Sequence, residues 1–199
     1  MAANVSAPNV VNISDLRLLA KKRLPQMVFD YIDSGADREQ TLSQNCLAYN
    51  EIYFRPRCAV ATPVCDLSIS VLDQNFNLPF ILAPVGSSRM FYPKGEIEAA
   101  RQAGIAGTGY TLSTLSGCRL EDVKQATNFP AWYQLYLLGG RDVALNTIQR
   151  AKLAGYSAIV VTIDTPISGL RERDVRNGTK ELLSKNPIKM LPFISQMLI

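Results

Sequence analysis

From Leu78 onward, short apolar runs alternate with amphipathic stretches. The apolar runs are PFILAPV (79–85), AGTGYTLS (106–113), AWYQLYLL (131–138) and AIVVTID (158–164), and each predicts a strand. Between them PKGEIEAARQAG, RLEDVKQAT and GRDVALNTIQRAKLAG carry helical patterns. Strand starts recur about every 25 residues, the rhythm of βα units whose parallel sheet is covered by helices. Upstream, NISDLRLLAKKR predicts a helix with Ser14 as N-cap. LPQMVFDYIDSG predicts a second, with Pro25 in its first turn and Gly35 as its stop. After FRPRCAVATPV, the alternation in DLSISVLDQNFNLP predicts a small hairpin outside the main fold.

Two α/β architectures fit this rhythm, an open doubly wound sheet and a (β/α)8 barrel. The first βα turn, APVGSSRMFYPKGE, is not G-x-G-x-x-G, and no acidic residue closes a following strand to hold a ribose. Instead each strand ends in polar groups: Gly86 and Ser87, Thr111 and Ser113, Gln134 and Tyr136, Thr162 and Asp164. The stretch SAIVVTIDTP shows the pattern well, apolar until Thr162, Asp164, Thr165 and Pro166. In barrels this carboxyl rim carries the chemistry, with groups contributed by several strands at once. The four strand ends therefore read as a ring of side chains facing one ligand.

Composition narrows the function classes. A net charge of +4 with scattered basic residues and no basic stripe interleaved with aromatics argues against nucleic acid. With 47% hydrophobic and 19% charged residues, the chain can bury a sizeable core. Cys46, Cys58, Cys65 and Cys118 form no CxxC pair and have no histidine to complete a zinc site, so no metal is expected and the thiols read as reduced, in a cytoplasmic compartment. No apolar run approaches the length of a membrane span, and MAANVSAPNVV lacks the features of a signal peptide. The chain contains no histidine at all.

The stretches LPQMVFDYIDSGADREQTL, FRPR, LPFILAPVGSSRMFYPKGE, AGTGYTLSTLS, WYQLYL and AIVVTIDTPISGLRERD resemble, in order and spacing, the N-terminal half of the FMN-dependent α-hydroxy acid oxidases and dehydrogenases. That family includes glycolate oxidase, lactate oxidase, mandelate dehydrogenase and the flavin domain of flavocytochrome lactate dehydrogenases. The resemblance implies the first half of a TIM (β/α)8 barrel with FMN across its carboxyl rim. Residues 1–77 would form N-terminal helices and a hairpin capping the barrel; residues 78–199 would be the first four βα units, ending in loop 4.

The same resemblance assigns roles. The backbone of Ala83, Pro84, Val85 and Gly86 would lie against the flavin ring edge, where glycine permits close approach. Ser113, Gln134 and Thr162 would hydrogen-bond the polar edge of the ring and support charge on the reduced flavin. Tyr31 would bind the substrate carboxylate, Tyr136 would contact the substrate hydroxyl, and Arg171 would neutralise substrate charge. Asp164 would orient a catalytic histidine and stabilise its protonated form. Taken alone, Tyr31 also fits a helix residue packing its ring, Asp164 an acceptor for loop backbone, and Arg171 a solvated charge in RERD. An amide inside an apolar strand, as at Gln134, needs partners whatever its role.

Two departures stand out. Leu115 occupies the place where glycolate oxidase-like members carry a tryptophan of the substrate pocket, so the pocket wall differs. The chain also stops at NPIKMLPFISQMLI, where four further βα units of the family would follow with a lysine, the histidine base, a second arginine and the phosphate site. The expected activity is oxidation of a small L-2-hydroxy acid to a 2-keto acid, complete only with that half. The reoxidant would be oxygen, a quinone or a cytochrome, and the complete protein a homo-oligomer, membrane-associated if loop 4 anchors it. A non-catalytic half-barrel paired with another half, and a binding module without a redox role, are the alternatives.

Overall fold

The computed structural model describes residues 10–61, 64–164, 167 and 169–178; Thr165, Pro166 and the C-terminal NPIKMLPFISQMLI, with the membrane role considered for loop 4, lie outside the described residues. Its elements are α1 (Ile13–Arg23), α2 (Gln26–Asp33), α3 (Gln40–Leu47), β1 (Ile69–Val71), β2 (Gln74–Phe76) and β3 (Ile81–Leu82). There follow α4 (Gly95–Ile105), β4 (Gly109–Leu112), α5 (Leu120–Gln125), β5 (Ala131–Leu135), α6 (Arg141–Ala154), β6 (Ala158–Val161) and α7 (Glu172–Arg176). Two compact units form, one from residues 1–56 with 168–199 and one from 57–167.

In the first unit, α1 is capped by Asn12 rather than by Ser14. The Asn12 Oδ1 accepts from the Asp15 N–H at 2.9 Å and Asp15 Oδ2 accepts from the Asn12 N–H at 3.2 Å, a reciprocal capping box. Asn12 wins because its backbone is extended while Ser14 already lies within the first turn. Helix α2 buries Met27, Val28 and Phe29 and ends at Asp33, two residues before Gly35, with Ser34 as C-cap and its N–H bonded to Asp30 O at 2.9 Å. The RERD run opens α7, with Arg171 as its extended N-cap: Arg171 pairs with Asp174 at 2.8 Å and Arg176 with Glu172 at 2.5 Å, each pair about one turn apart.

The second unit holds a four-stranded parallel sheet in the order β3-β4-β5-β6. Sequential order without reversal is the arc of a barrel; a doubly wound sheet reverses at a switch point. The alternation within strands sorts their side chains by face. Tyr110, Leu112, Tyr133 and Leu135 pack against Ala100 and Ala103 of α4, Leu120 and Val123 of α5, and Ala151 of α6. Small residues on α4 and α6 let these helices approach the sheet closely. Tyr156 closes this core, edge-on to Tyr133 at 5.9 Å, with its hydroxyl donating to Leu120 O at 2.8 Å. Leu112 is fully buried, so truncation to alanine would cost about 2–5 kcal/mol.

The opposite face of the sheet is layered. At its amino end the β1–β2 hairpin covers it: Phe76 packs edge-on against Trp132 at 6.3 Å, and Gln74 Oε1 accepts from Trp132 Nε1 and Ser157 Oγ at 3.3 and 2.8 Å. The hairpin thus belongs with the sheet. Gly109 makes room for it, since a Cβ there would sit 2.6 Å from Phe76 Cε1. Two residues further along β5 this face turns polar.

Both edge strands expose apolar side chains on the helix-facing side. Leu135 is 3% exposed but its register partner Val161 on β6 is 50% exposed, and Tyr110 is 3% exposed while its partner Leu82 on β3 is 38% exposed. Helices cover the middle of the arc and, among the described residues, leave its two ends bare.

Candidate functional site

Gln134 stands at the centre of the polar layer. It alternates with Tyr133 and Leu135, so it projects from the face opposite the helices, and it is 3% exposed. Its Oε1 accepts from the Thr114 N–H at 3.1 Å and its Nε2 donates to Thr162 Oγ1 at 2.7 Å. A single amide thereby links the carboxyl ends of β4, β5 and β6. Thr114 completes the link: its hydroxyl donates to Gln134 O at 2.6 Å and accepts from the Tyr136 N–H at 3.0 Å.

Beside this cluster, Ser113 is buried and its Oγ accepts from the Leu115 N–H at 3.1 Å, leaving its hydroxyl hydrogen for a ligand. Ala83, Pro84 and Val85 are exposed in the loop after β3, and Gly86 is half-buried there. A Cβ on Gly86 would lie 3.2 Å from Leu115 Cβ, so glycine lets the loops after β3 and β4 meet. Leu115 is 48% exposed beside the rim. Tyr136 is half-buried just past β5, and Asp164 is exposed just past β6. The sheet therefore brings Ser113, Gln134, Thr162 and Tyr136 to one rim.

Tyr31 and Arg171 belong to the other unit and meet each other there. The Arg171 guanidinium lies 5.0 Å from the Tyr31 ring centroid, donates to Tyr31 O, and reaches Ser34 O and Oγ at 3.3 and 2.9 Å. Arg173 beside it joins Asp33 at 3.1 Å and Glu39, and Asn177 Nδ2 donates to Asp30 Oδ2 at 2.6 Å. Asp33 also receives Arg17; the Arg17 hydrogen bond, opposed by burial and helped by the Arg17 and Arg173 charges, holds its carboxyl below the ordinary range.

Two residues carry no signal in the sequence pattern. Thr114 lies past the strand alternation, so nothing marks its hydroxyl. Glu96 opens a helix, where a charge ordinarily faces water, yet it is completely buried. Its Oε1 accepts from the Ser88 and Gly117 N–H groups at 3.1 and 3.0 Å. Burial works to raise its pKa, but the N–H groups of Glu96 itself and Gly117, the Cys118 thiol and the Ser88 N–H outweigh burial and hold the carboxyl below its ordinary value. Among the described residues no cluster of His, Cys, Asp and Glu could hold a metal, and all four cysteines are free. No described helix is long and apolar enough to cross a membrane.

Comparison with known proteins matches residues 20–196 to the family model of FMN-dependent dehydrogenases. A peroxisomal (S)-2-hydroxy-acid oxidase of Oryza sativa is 40% identical over 167 residues, 84% of this chain and 46% of that protein. An L-lactate dehydrogenase of Acinetobacter baumannii is 41% identical over 165 residues, covering 83% of this chain and 43% of its own length. Among solved structures, a soluble mutant of the membrane-associated (S)-mandelate dehydrogenase from Pseudomonas putida superposes with a TM-score of 0.81 at 35% identity, over 85% of this chain and 48% of that one. The chain spans about half the length of the relatives it matches.

Proposed function

The chain belongs to the FMN-dependent dehydrogenase family, and from that premise we propose that it provides the ring-binding half of a (β/α)8 flavoenzyme that oxidises a small L-2-hydroxy acid to the 2-keto acid. FMN is the family's cofactor, and the residues at the rim fit it. An isoalloxazine presents a planar edge of alternating acceptors and donors. Facing it, Gln134 keeps one amide hydrogen after bonding Thr162, Ser113 keeps its hydroxyl hydrogen, and the loop after β3 offers backbone ending in a glycine. The buried Gln134, tied to two neighbouring strand ends and aimed away from the helices, carries this reading.

The oxidation removes two electrons and two protons from the carbinol. FMN held at this rim would supply the two-electron acceptor, a capacity that the chain's free thiols and other side chains do not offer. The chain's own groups bind and orient. Gln134, Ser113 and Thr162 would hold the polar ring edge, and Tyr136 would contact the substrate hydroxyl. By the family resemblance, Tyr31 would bind the substrate carboxylate and Arg171 would neutralise substrate charge. Asp164 orients the histidine that accepts the hydroxyl proton; that histidine is supplied from outside these residues, since the chain has none. The electron acceptor (oxygen, quinone or cytochrome) and a homo-oligomeric state belong to the complete enzyme.

Titrating the chain with FMN and following flavin fluorescence tests this reading. Saturable quenching that is lost in Gln134→Ala supports it. Quenching unaffected by that change would overturn the assignment of the ring site.

A further inference from the structure

We propose that Glu96 is a positioning residue of the flavin site: a buried carboxylate that clamps the loop after β3 to the loop after β4 and so sets where the Ala83–Gly86 backbone meets the ring. The inference rests on the flavin reading above and adds to it a residue that touches neither cofactor nor substrate. One oxygen of Glu96 holds two amides, Ser88 in the first loop and Gly117 in the second. Around this bridge the loops interlock: the Ser87 N–H donates to Leu115 O at 2.8 Å and Arg89 Nη1 donates to Gly117 O at 3.4 Å.

The clamped loop carries one unfavourable backbone conformation: Ser87 has a φ of 56°, in the left-handed region, whereas Gly95, at 45°, adopts that region without strain. A Cβ on Gly95 would come within 2.7 Å of Arg89 Cγ, so the segment is also tightly packed. Residues in such conformations persist when their surroundings over-determine them, as at ligand clamps. Glu96 grips the amide of the next residue, Ser88, beside this strained position. Its second oxygen, Oε2, has no close partner among the described residues beyond the weak Cys118 thiol and the Glu96 N–H beside the carboxylate. A charge buried on so few and such weak partners is a poor choice for stability alone. It is a good choice for gripping two N–H groups, because charge-assisted hydrogen bonds are shorter and stronger than neutral ones.

Amide-resolved NMR of the full 199-residue chain, free and with FMN in large excess, tests the clamp. In Glu96→Ala, hydrogen exchange at Ser88 and Gly117 should accelerate by about tenfold or more, the loss of a charge-assisted hydrogen bond, while Leu112 and Tyr133 keep their protection. FMN-induced shifts should then disappear at Val85 and Gly86 but persist at the Gln134 side-chain amide. A merely structural residue would alter all of these together. Unchanged exchange at Ser88 and Gly117, or parent-like FMN shifts at Val85 and Gly86, would overturn the proposal. Should Glu96→Ala not fold, Glu96→Gln keeps an acceptor without charge and should accelerate the same two amides less; no acceleration there would equally overturn it. Absence of any FMN shift in the parent chain would overturn the flavin reading and the positioning role with it, while the exchange rates still decide whether the clamp exists.

Discussion

Arg171 lies across the ring of Tyr31, its guanidinium carbon 5.0 Å from the ring centroid, although 140 residues separate them in the chain. The contact joins α2 to α7 through a stacked cation and several hydrogen bonds to the end of α2. Arg171→Lys keeps the charge but loses the planar fork. Discounted for its partial exposure, the change should destabilise this unit by about 1–2 kcal/mol. Urea denaturation followed by proteolytic susceptibility of α7 would show it, and a parent-like midpoint would contradict the role given to the stack.

Gln134→Leu should be more damaging. It leaves the Thr114 N–H and the Thr162 hydroxyl without the partners they have now, both at half-buried positions. The expected loss is about 1–3 kcal/mol, seen as a lower thermal midpoint. An unchanged midpoint would mean that the amide does not tie the strand ends together.

Acid should loosen the α2–α7 unit through Asp33. Its folded pKa lies below the unfolded value, so the unfolded chain binds more protons between the two. The stabilisation is therefore complete above about pH 4, near the ordinary aspartate pKa, and is lost as pH falls through the folded value. Asp33→Asn should remove that acid-dependent component, measured as the pH dependence of the urea midpoint. If the variant and parent lose stability in parallel below pH 4, Asp33 is not the group responsible.

The β1–β2 turn offers a change in the opposite direction. Leu72 and Asp73 have φ values of 50° and 58°, the left-handed pair that a two-residue hairpin requires. Leu72 is also largely exposed, so its side chain contributes little burial. Replacing the pair by Asn-Gly should stabilise the second unit by about 1 kcal/mol. A drop in the thermal midpoint would show that Leu72 packs more than its exposure suggests.

That turn also marks what could be read from the sequence. The hairpin was visible in the alternation of DLSISVLDQNFNLP, but Leu-Asp does not announce its turn type, because two left-handed residues in a row ordinarily call for Asn-Gly or Asp-Gly. The four βα units were legible since apolar runs and helical patterns alternate with little interruption, and Gln134 stood out as an amide in an apolar strand. Helix α3 was not seen: QTLSQNCL buries no residue and shows no apolar stripe. Helix α7 was hidden because its support comes from ion pairs rather than from hydrophobic spacing. Asn12 was passed over as a cap because its partner, Asp15, acts through three-dimensional reciprocity. Glu96 was hidden for the same kind of reason: a charge in the first turn of a helix ordinarily faces water, and only the folded loops after β3 and β4 reveal that it is enclosed.

The proposed function gives this chain the flavin-ring half of a 2-hydroxy acid oxidising barrel, with the group that takes the substrate proton supplied from outside these residues. Anaerobic bleaching of FMN by glycolate, L-lactate or L-mandelate tests it most directly, with the chain alone and with a polypeptide carrying the remaining four βα units of the family. General-base catalysis contributes roughly 10²- to 10⁴-fold, so the chain alone should bleach flavin no faster than free FMN, and bleaching should appear when the second half is added. Bleaching by the 199-residue chain alone, at a rate typical of an intact flavoenzyme, would contradict the account, since a group within it would then be acting as the base.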